Sequence, residues 1–459
     1  MSSTTSAQSE RGQILVIFAA SLLVIFGIAA LVFDGGLMLL EKRDQQNAAD
    51  AAAIAGARFL PGDRASARAQ AEAIATENGF TDGVGNQSVT VTFPSSGRIA
   101  VDIDNTRDSF FAGIWGIVEH DVGSRAVAVN ESRPLGPFGI LTLEEDDCDA
   151  MFIGGGGEII SNGDIQVNSD CASNAMRLQG NGEVVVAPSV ACNIVGGYSA
   201  ANNTSSNCPV TTGAVAIPDP FLGMDPYAPA IPRNGAGVIV YPATPVLVAG
   251  SAEPVPTGCP GSASPASHAS PRLCRFNTSG KTWRLFPGYY PGGLHFQSGL
   301  FYLEPGIYYL GGGGLAMNAS GASLRSVATG GTTLGGGVLI YNGDHPTAGD
   351  GDIELNGGSA GVNLLPIQTG TYAGIVIYQK GEPNPVCETV TLNGAASGMN
   401  VRGVIYVPCG LVRMNGNAGS ITTDQIVAET FSLTGNGGNL RVVYDDAFLP
   451  SLRLAGLIE

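Results

Sequence analysis

The sequence predicts a mostly β protein led by an N-terminal transmembrane helix, with a small α+β domain next and a right-handed parallel β-helix (a solenoid) after it. Three observations carry this. Residues 12–33, GQILVIFAASLLVIFGIAALVF, hold no charge between Arg11 and Asp34. Gly makes up 66 of 459 residues and charged residues only 13%, yet hydrophobic residues stay at 44%. That is a composition of short apolar strands joined by tight turns. Asn-Gly pairs also punctuate the C-terminal part, and several stand 19 to 22 residues apart, near the period of a stacked repeat.

The Ser/Thr-rich start, within a predicted cytoplasmic segment 1–12, has too little apolar content to order itself. The span follows at 13–35. Its apolar run suits a bilayer core of about 30 Å, and its Leu, Ile, Val and Phe favour insertion by roughly 4–8 kcal/mol. A cleaved signal has an apolar core of only about 7–15 residues. This core is longer, and the first Ala-x-Ala triplets lie well downstream of it. The chain is therefore expected to stay anchored, with membrane lipid as a single-pass partner. Lys and Arg are nearly balanced about the span, so orientation rests on cysteine. Cys148, Cys171, Cys192, Cys208, Cys259, Cys274, Cys387 and Cys409 all follow the span and lack CxxC or Cys/His metal spacing. They read as disulfides, which places the bulk outside the cytoplasm.

Beyond Asp34 the helix is expected to continue over 36–60. Ala48, Ala52, Ala55 and Phe59 recur at helical spacing and form a candidate packing stripe. So small a stripe packs closely, either on its own domain or on another helix. Ala20, Ser21, Gly27, Ala29 and Ala30 permit similar approach in lipid. Pro61-Gly62 ends the helix and opens a domain over 61–135. A second helix is predicted at 65–77, stopped by Asn78-Gly79. Strands at 88–93 and 98–103, a short aromatic helix at 109–117 and a strand at 122–130 complete it.

The stretch RGQILVIFAASLLVIFGIAALVFDGGLMLLEKRDQQNAADAAAIAGARFL resembles the N-terminal domain of TadE/TadG-like Flp pilus-assembly proteins. The shared pattern is an R-G-Q start, an apolar span, a D-x-G step and a helix ending Q-N-A-A-D-A-A-A-L-A-G-A, with Ile54 standing where Leu is usual. SFFAGIWGIVEHDVGSRAVAV resembles the end of the TadG N-terminal region. The resemblance covers about residues 11–130. It implies a pilin-like domain and, as partners, the Tad/Flp pilus machinery or pilin-like proteins. Two departures matter. Prepilin-type peptidases cut after Gly and expect Glu five residues later, but Ile17 stands there after Gly12, so the N-terminus is expected to be retained. The D-x-S-x-S metal site of the von Willebrand A domain in some longer TadG proteins does not occur.

The C-terminal part divides into a first solenoid segment (136–208), a Pro/Ser/Gly-rich excursion (209–285), the main solenoid (286–447) and a tail (448–459). Within the two solenoid segments, Asn-Gly pairs begin at Asn162, Asn181, Asn342, Asn356, Asn393, Asn415 and Asn436. In a β-helix, Val, Ile and Leu face inward while Asn and Gly take the corners and stacked Asn side chains share hydrogen bonds along the axis. An antiparallel sandwich with Asn-Gly hairpins is the rival. Of the 105 connectivities eight cysteines allow, sequential pairing is the simplest.

A net charge of −17 argues against nucleic acid and against anionic lipid heads as partners. Glu144, Glu145, Asp146, Asp147 and Asp149, and Asp350 with Asp352, are the acidic clusters open to glycan cleavage or weak Ca²⁺ binding. General acid/base work needs two carboxylates held on a rigid face, whereas these read as solvated loops. His120, His268, His295 and His345 are scattered. No cofactor, metal or catalytic residue is therefore expected. The sequence points to a non-enzymatic membrane-anchored component of pilus assembly or cell-surface adhesion. The alternative is a membrane-anchored β-helix that binds or cleaves polysaccharide, with a surface glycan as ligand.

Overall fold

The computed structural model describes the chain apart from residues 1–9, 61–62, 96, 135–137, 223, 225–228, 318–320, 327–335, 348–350, 358–360, 381–386, 395–397, 418 and 458–459. The predicted break at Pro61-Gly62, Asp350 and most of segment 1–12 lie outside the described residues. The chain forms two units, Met1–Arg133 with Arg453–Glu459, and Pro134–Leu452. The second is thus inserted in the chain of the first.

The first unit begins with α1, Glu10–Ala57, one 48-residue helix in which the apolar run and the polar Ala-rich run are continuous. Helix α2, Arg64–Glu77, packs on its C-terminal part. Asp63 starts α2: its Oδ1 accepts from the amides of Ala65 and Ser66 at 3.0 and 2.9 Å, satisfying donors the first turn leaves open. Antiparallel strands β1 (Gln87–Ser95), β2 (Arg98–Asp108) and β3 (Glu119–Pro134) follow, and Ser451–Leu457 extends this sheet beside β3. The expected tail is therefore largely a strand. Ile99, Val101 and Ile103 of β2 stand opposite Ala128, Ala126 and Ser124 of β3, and these small partners leave room for the helices. The core is Ala on Ala: Ala48, Ala49, Ala52, Ala53 and Ala57 of α1 meet Ala67, Ala71 and Ala75 of α2 over that sheet. Gly56 belongs to the same contact, since a Cβ there would lie 2.6 Å from Ile99 Cδ1 and 2.8 Å from the Ala67 carbonyl oxygen. Buried Asn130 of β3 donates to the carbonyls of Ala57 and Leu60 at 3.0 and 2.9 Å, closing the end of α1.

The second unit is a 26-stranded sheet, running from Phe138–Thr142 to Gln425–Val442, in which nearly all pairings are parallel. Parallel partners recur in three rows. One inward row aligns Phe276, Phe296, Met317, Leu355, Leu392, Met414, Leu433, Ile153 and Leu178. A second aligns Trp283, Phe301, Leu324, Val362, Met399, Ile421, Leu440, Ile159 and Val184. All are buried in one core, and each contributes about 1.5–3 kcal/mol by leaving water. The third row runs from Tyr289 through Tyr309, Tyr341, Tyr378 and Tyr406 to Val427, Leu141 and Gln166.

Chain order and spatial order differ. Gln425–Val442 pairs with Phe138–Thr142, Met151–Ile153 and Gly156–Ser161, so the unit's last strand lies beside its first three. The chain enters mid-stack, builds outward as far as Val210–Thr212, then crosses to the opposite end and builds back from Cys274–Leu285. Val210–Thr212 still pairs in the sheet with Cys192–Ile194, and Cys274–Leu285 already does. The excursion is thus 213–273, shorter at both ends than the expected 209–285. Within it, Val246–Ala249 pairs antiparallel with Cys274–Leu285.

Candidate functional site

The disulfides are Cys148–Cys171, Cys192–Cys208, Cys259–Cys274 and Cys387–Cys409, with Cα separations of 5.2, 5.9, 4.4 and 5.4 Å. No described cysteine is free. Cys387 and Cys409 lie near Glu429 in an arrangement spaced for a metal ion. Both sulfurs are bonded to each other, so the group offers only one carboxylate. Burial, then Glu144 and Asp147, push that Glu429 carboxyl above its usual range.

The expected helix stripe needs correction. Ala48 and Ala52 are fully buried, but Ala55 is partly exposed and Phe59 is 41% exposed. The buried face runs Ala48, Ala52, Gly56 and Leu60, with Ala49, Ala53 and Ala57 beside it. Ala55 lies at the edge of that face, about 60° round the helix from Ala52 and away from Ala53 and Ala57, and Phe59 follows the end of α1 at Ala57. Ala48 and Ala52 thus pack within their own unit, whereas Ala55 and Phe59 remain accessible.

The span end of α1 carries contacts the sequence did not suggest. The Asp34 carboxylate accepts from the amides of Phe111 and Ala112 at 2.9 and 2.7 Å, at the start of the 3₁₀ turn Ala112–Trp115. Phe33 meets Phe110 and Phe111 edge-on, with ring centroids 6.1 and 5.6 Å away. Two turns further, Glu41 accepts from Asn105 and pairs with Arg107.

Residues 12–58 match the Flp pilus-assembly TadE/G-like family model. That segment is similar to TadE/G-like Flp pilus-assembly domains. No curated protein and no solved structure matches the chain. The TadE/G-like segment coincides with α1, from its apolar run to the Ala face buried under α2. Its helix is long and apolar enough to cross a membrane, and most of the described side chains from Leu15 to Phe33 are exposed.

The acidic clusters act locally. Glu144 Oε1 accepts from the amides of Asp146 and Asp147, both at 3.0 Å, folding its own loop. Asp149 pairs with Arg177 and accepts from Asn174. Asp352 accepts from the Thr389 amide at 2.8 Å, tying neighbouring repeats together.

The structure does bring together two of the scattered histidines. His268 Nδ1 lies 2.9 Å from the Tyr289 hydroxyl, and buried His345 hydrogen-bonds the His268 carbonyl at 2.8 Å, its ring edge-on to that of His268 at 4.7 Å. Beside them is a cavity of about 340 Å³, lined by Tyr241, Pro242, Pro260, Pro265, Arg272 and Tyr289 among others. None of its described lining residues is Asp or Glu, so it offers no carboxylate pair for glycoside chemistry. His120 belongs to the first unit, 3.4 Å from Ser109 Oγ. His295 sits in the sheet between Arg275 and Ala316.

The tyrosine row is the other surface missed. Centroids step from Tyr289 to Tyr309, Tyr341, Tyr378 and Tyr406 at 5.4, 4.8, 5.2 and 4.8 Å, and Phe221 of the excursion caps Tyr406 at 4.7 Å. The Tyr406 hydroxyl donates to Asp219 at 2.6 Å. Burial raises the Asp219 carboxyl above its usual range, opposed by that bond and by the Phe221 amide.

Proposed function

We propose that the protein is a non-enzymatic, single-pass component of Flp/Tad-type pilus assembly. Its N-terminus lies in the cytoplasm and both units lie outside it. The first unit serves as a pilin-like domain toward the pilus machinery or pilin-like proteins. The second is a right-handed parallel β-helix that projects as a rigid structural or adhesive surface. The observation that carries the reading is the TadE/G-like match over residues 12–58, on a helix whose apolar run passes without a break into a packed domain. Three parallel rows with an inward apolar core support the β-helix, and right-handed crossovers are the rule between parallel strands. Four disulfides support the extracytoplasmic side.

The test is deletion of this chain in its own cells, with pili counted by electron microscopy. Loss of at least about nine-tenths of pili, restored by the intact chain but not by one lacking residues 12–33, is expected from an anchor-dependent assembly role. Normal piliation together with lost retention of an acidic polysaccharide would favour the glycan-binding alternative.

A further inference from the structure

We propose that the loop between β2 and β3, residues 109–118, is a second membrane contact that lies in the interfacial zone of the bilayer where α1 leaves it. The proposal rests on the reading of α1 as the anchor. The loop is closed by the Ser109 amide donating to the Val118 carbonyl at 2.8 Å. Four of its described side chains are large, apolar and exposed: Phe110 is 76% exposed, Phe111 42%, Ile117 55% and Val118 65%. The unit's other strand and α2 apolar residues are mostly buried, so this patch is not a general property of its surface. An uncovered side chain of this size forgoes about 1.5–3 kcal/mol of burial.

The patch is continuous with the face of α1 already assigned to lipid. Phe33, the last residue of the charge-free run, touches both phenylalanines. Val32 and Phe33 are exposed beside it. Asp34 then explains how backbone enters an apolar zone. The Phe111 and Ala112 amides would lose water there, at a cost of several kcal/mol each if left bare, and the Asp34 carboxylate accepts both. The first charge after the span thus acts as a clamp on the loop. Aromatic side chains favour this level of a bilayer. With a net charge of −17, attraction to anionic headgroups supplies nothing, so the occupant is the acyl–headgroup boundary of zwitterionic lipid.

The full chain in phosphatidylcholine nanodiscs provides the test. Because every described cysteine is disulfide-bonded, an introduced thiol is labelled selectively. Phe110→Cys, Leu23→Cys and Thr92→Cys, the last exposed on β1, each receive an environment-sensitive dye, and lipids brominated near the glycerol or deep in the chain act as quenchers. Shallow bromine is expected to quench the Phe110 label about threefold more than the Thr92 label, and deep bromine to quench the Leu23 label. A Phe110 label quenched no more than the Thr92 label, with Leu23 still quenched, overturns the loop contact and leaves the anchor standing. An unquenched Leu23 label overturns the anchor itself. A Phe110 label shielded from water but untouched by bromine places protein on the patch and also overturns the proposal. Asp34→Ala is expected to at least halve quenching at Phe110, and an unchanged value removes the clamp.

Discussion

Ala52 is fully buried beneath α2 and the sheet, while Ala55, three positions on, is only partly covered. Glu at position 52 puts a carboxylate where no partner waits, a change that costs several kcal/mol in a unit whose stability is expected to be about 5–15 kcal/mol. Ala52→Glu should therefore unfold the first unit, read as lost protease resistance of the full chain in detergent. Ala55→Glu should stay within about 1 kcal/mol of the parent by chemical denaturation. Equal damage from both would restore the Ala48–Ala52–Ala55–Phe59 register. The sequence pointed to a small-residue face but not to its angle, because alanine occupies seven of the ten positions 48–57 and marks almost any face equally. Asparagine was more legible. Asn393 donates to Asn356, Asn415 donates to Asn393 at 2.8 Å, and Thr434 donates to Asn415 at 2.7 Å, across separations of 37, 22 and 19 residues. An in-register parallel row is what lets each amide serve the next.

Among the elements, the tyrosine row is the least legible feature and the most testable. Tyr289, Tyr309, Tyr341, Tyr378 and Tyr406 fall at unequal intervals because the loops between repeats differ in length, so no period betrays them. Their alignment appears only once the strands are paired. Burial is the first cause that raises the phenols of Tyr289, Tyr290, Tyr308 and Tyr309, and it lifts Tyr444 to about 12. An unfolded tyrosine ionises near 10. Between about pH 10 and each folded value the native state holds the proton and the unfolded state releases it, so stability is intact below about 10 and falls as pH rises above it. Phenolate absorbance of these tyrosines should therefore appear together with loss of the β-sheet circular dichroism signal, in one cooperative alkaline transition. Stepwise phenolate formation in a folded chain would mean that the row is open to water.

At the scale of the molecule, the order of repeats in space was beyond the sequence. Any two apolar parallel repeats pair with similar energy, so nothing local says that Gln425–Val442 should lie beside Phe138–Thr142. What enforces it is the route of the excursion. Asn168 donates to the Ile217 carbonyl near one end, the Phe221 ring packs at a tilt against Tyr406 midway, and the Tyr289 amide donates to the Val240 carbonyl near the other. From the Val210–Thr212 strand, where the excursion leaves the sheet, to the Gly288–Tyr290 strand the third row makes nine steps, about 43 Å at roughly 4.8 Å per strand. The excursion is thus both a strap of the required length and the cover of the tyrosine row, where Phe221, Met224, Ile217, Ile231 and Ile239 complete a separate core. These roles separate by substitution. Replacing residues 214–241 with a Gly/Ser linker of equal length keeps the reach, since about 28 residues extend to roughly 90–100 Å. It removes the apolar cover, however, and leaves the row facing water. The expected result is a chain that retains all four disulfides but binds a hydrophobic dye and self-associates, read by dye fluorescence and light scattering. Shortening the same linker to about six residues, which reach at most about 22 Å, should prevent the far repeats from forming at all, with Cys259–Cys274 and Cys387–Cys409 lost from the disulfide map. A full-length linker that leaves the protein monomeric and dye-free would show that the tyrosine row needs no cover, and the excursion would then be a strap alone.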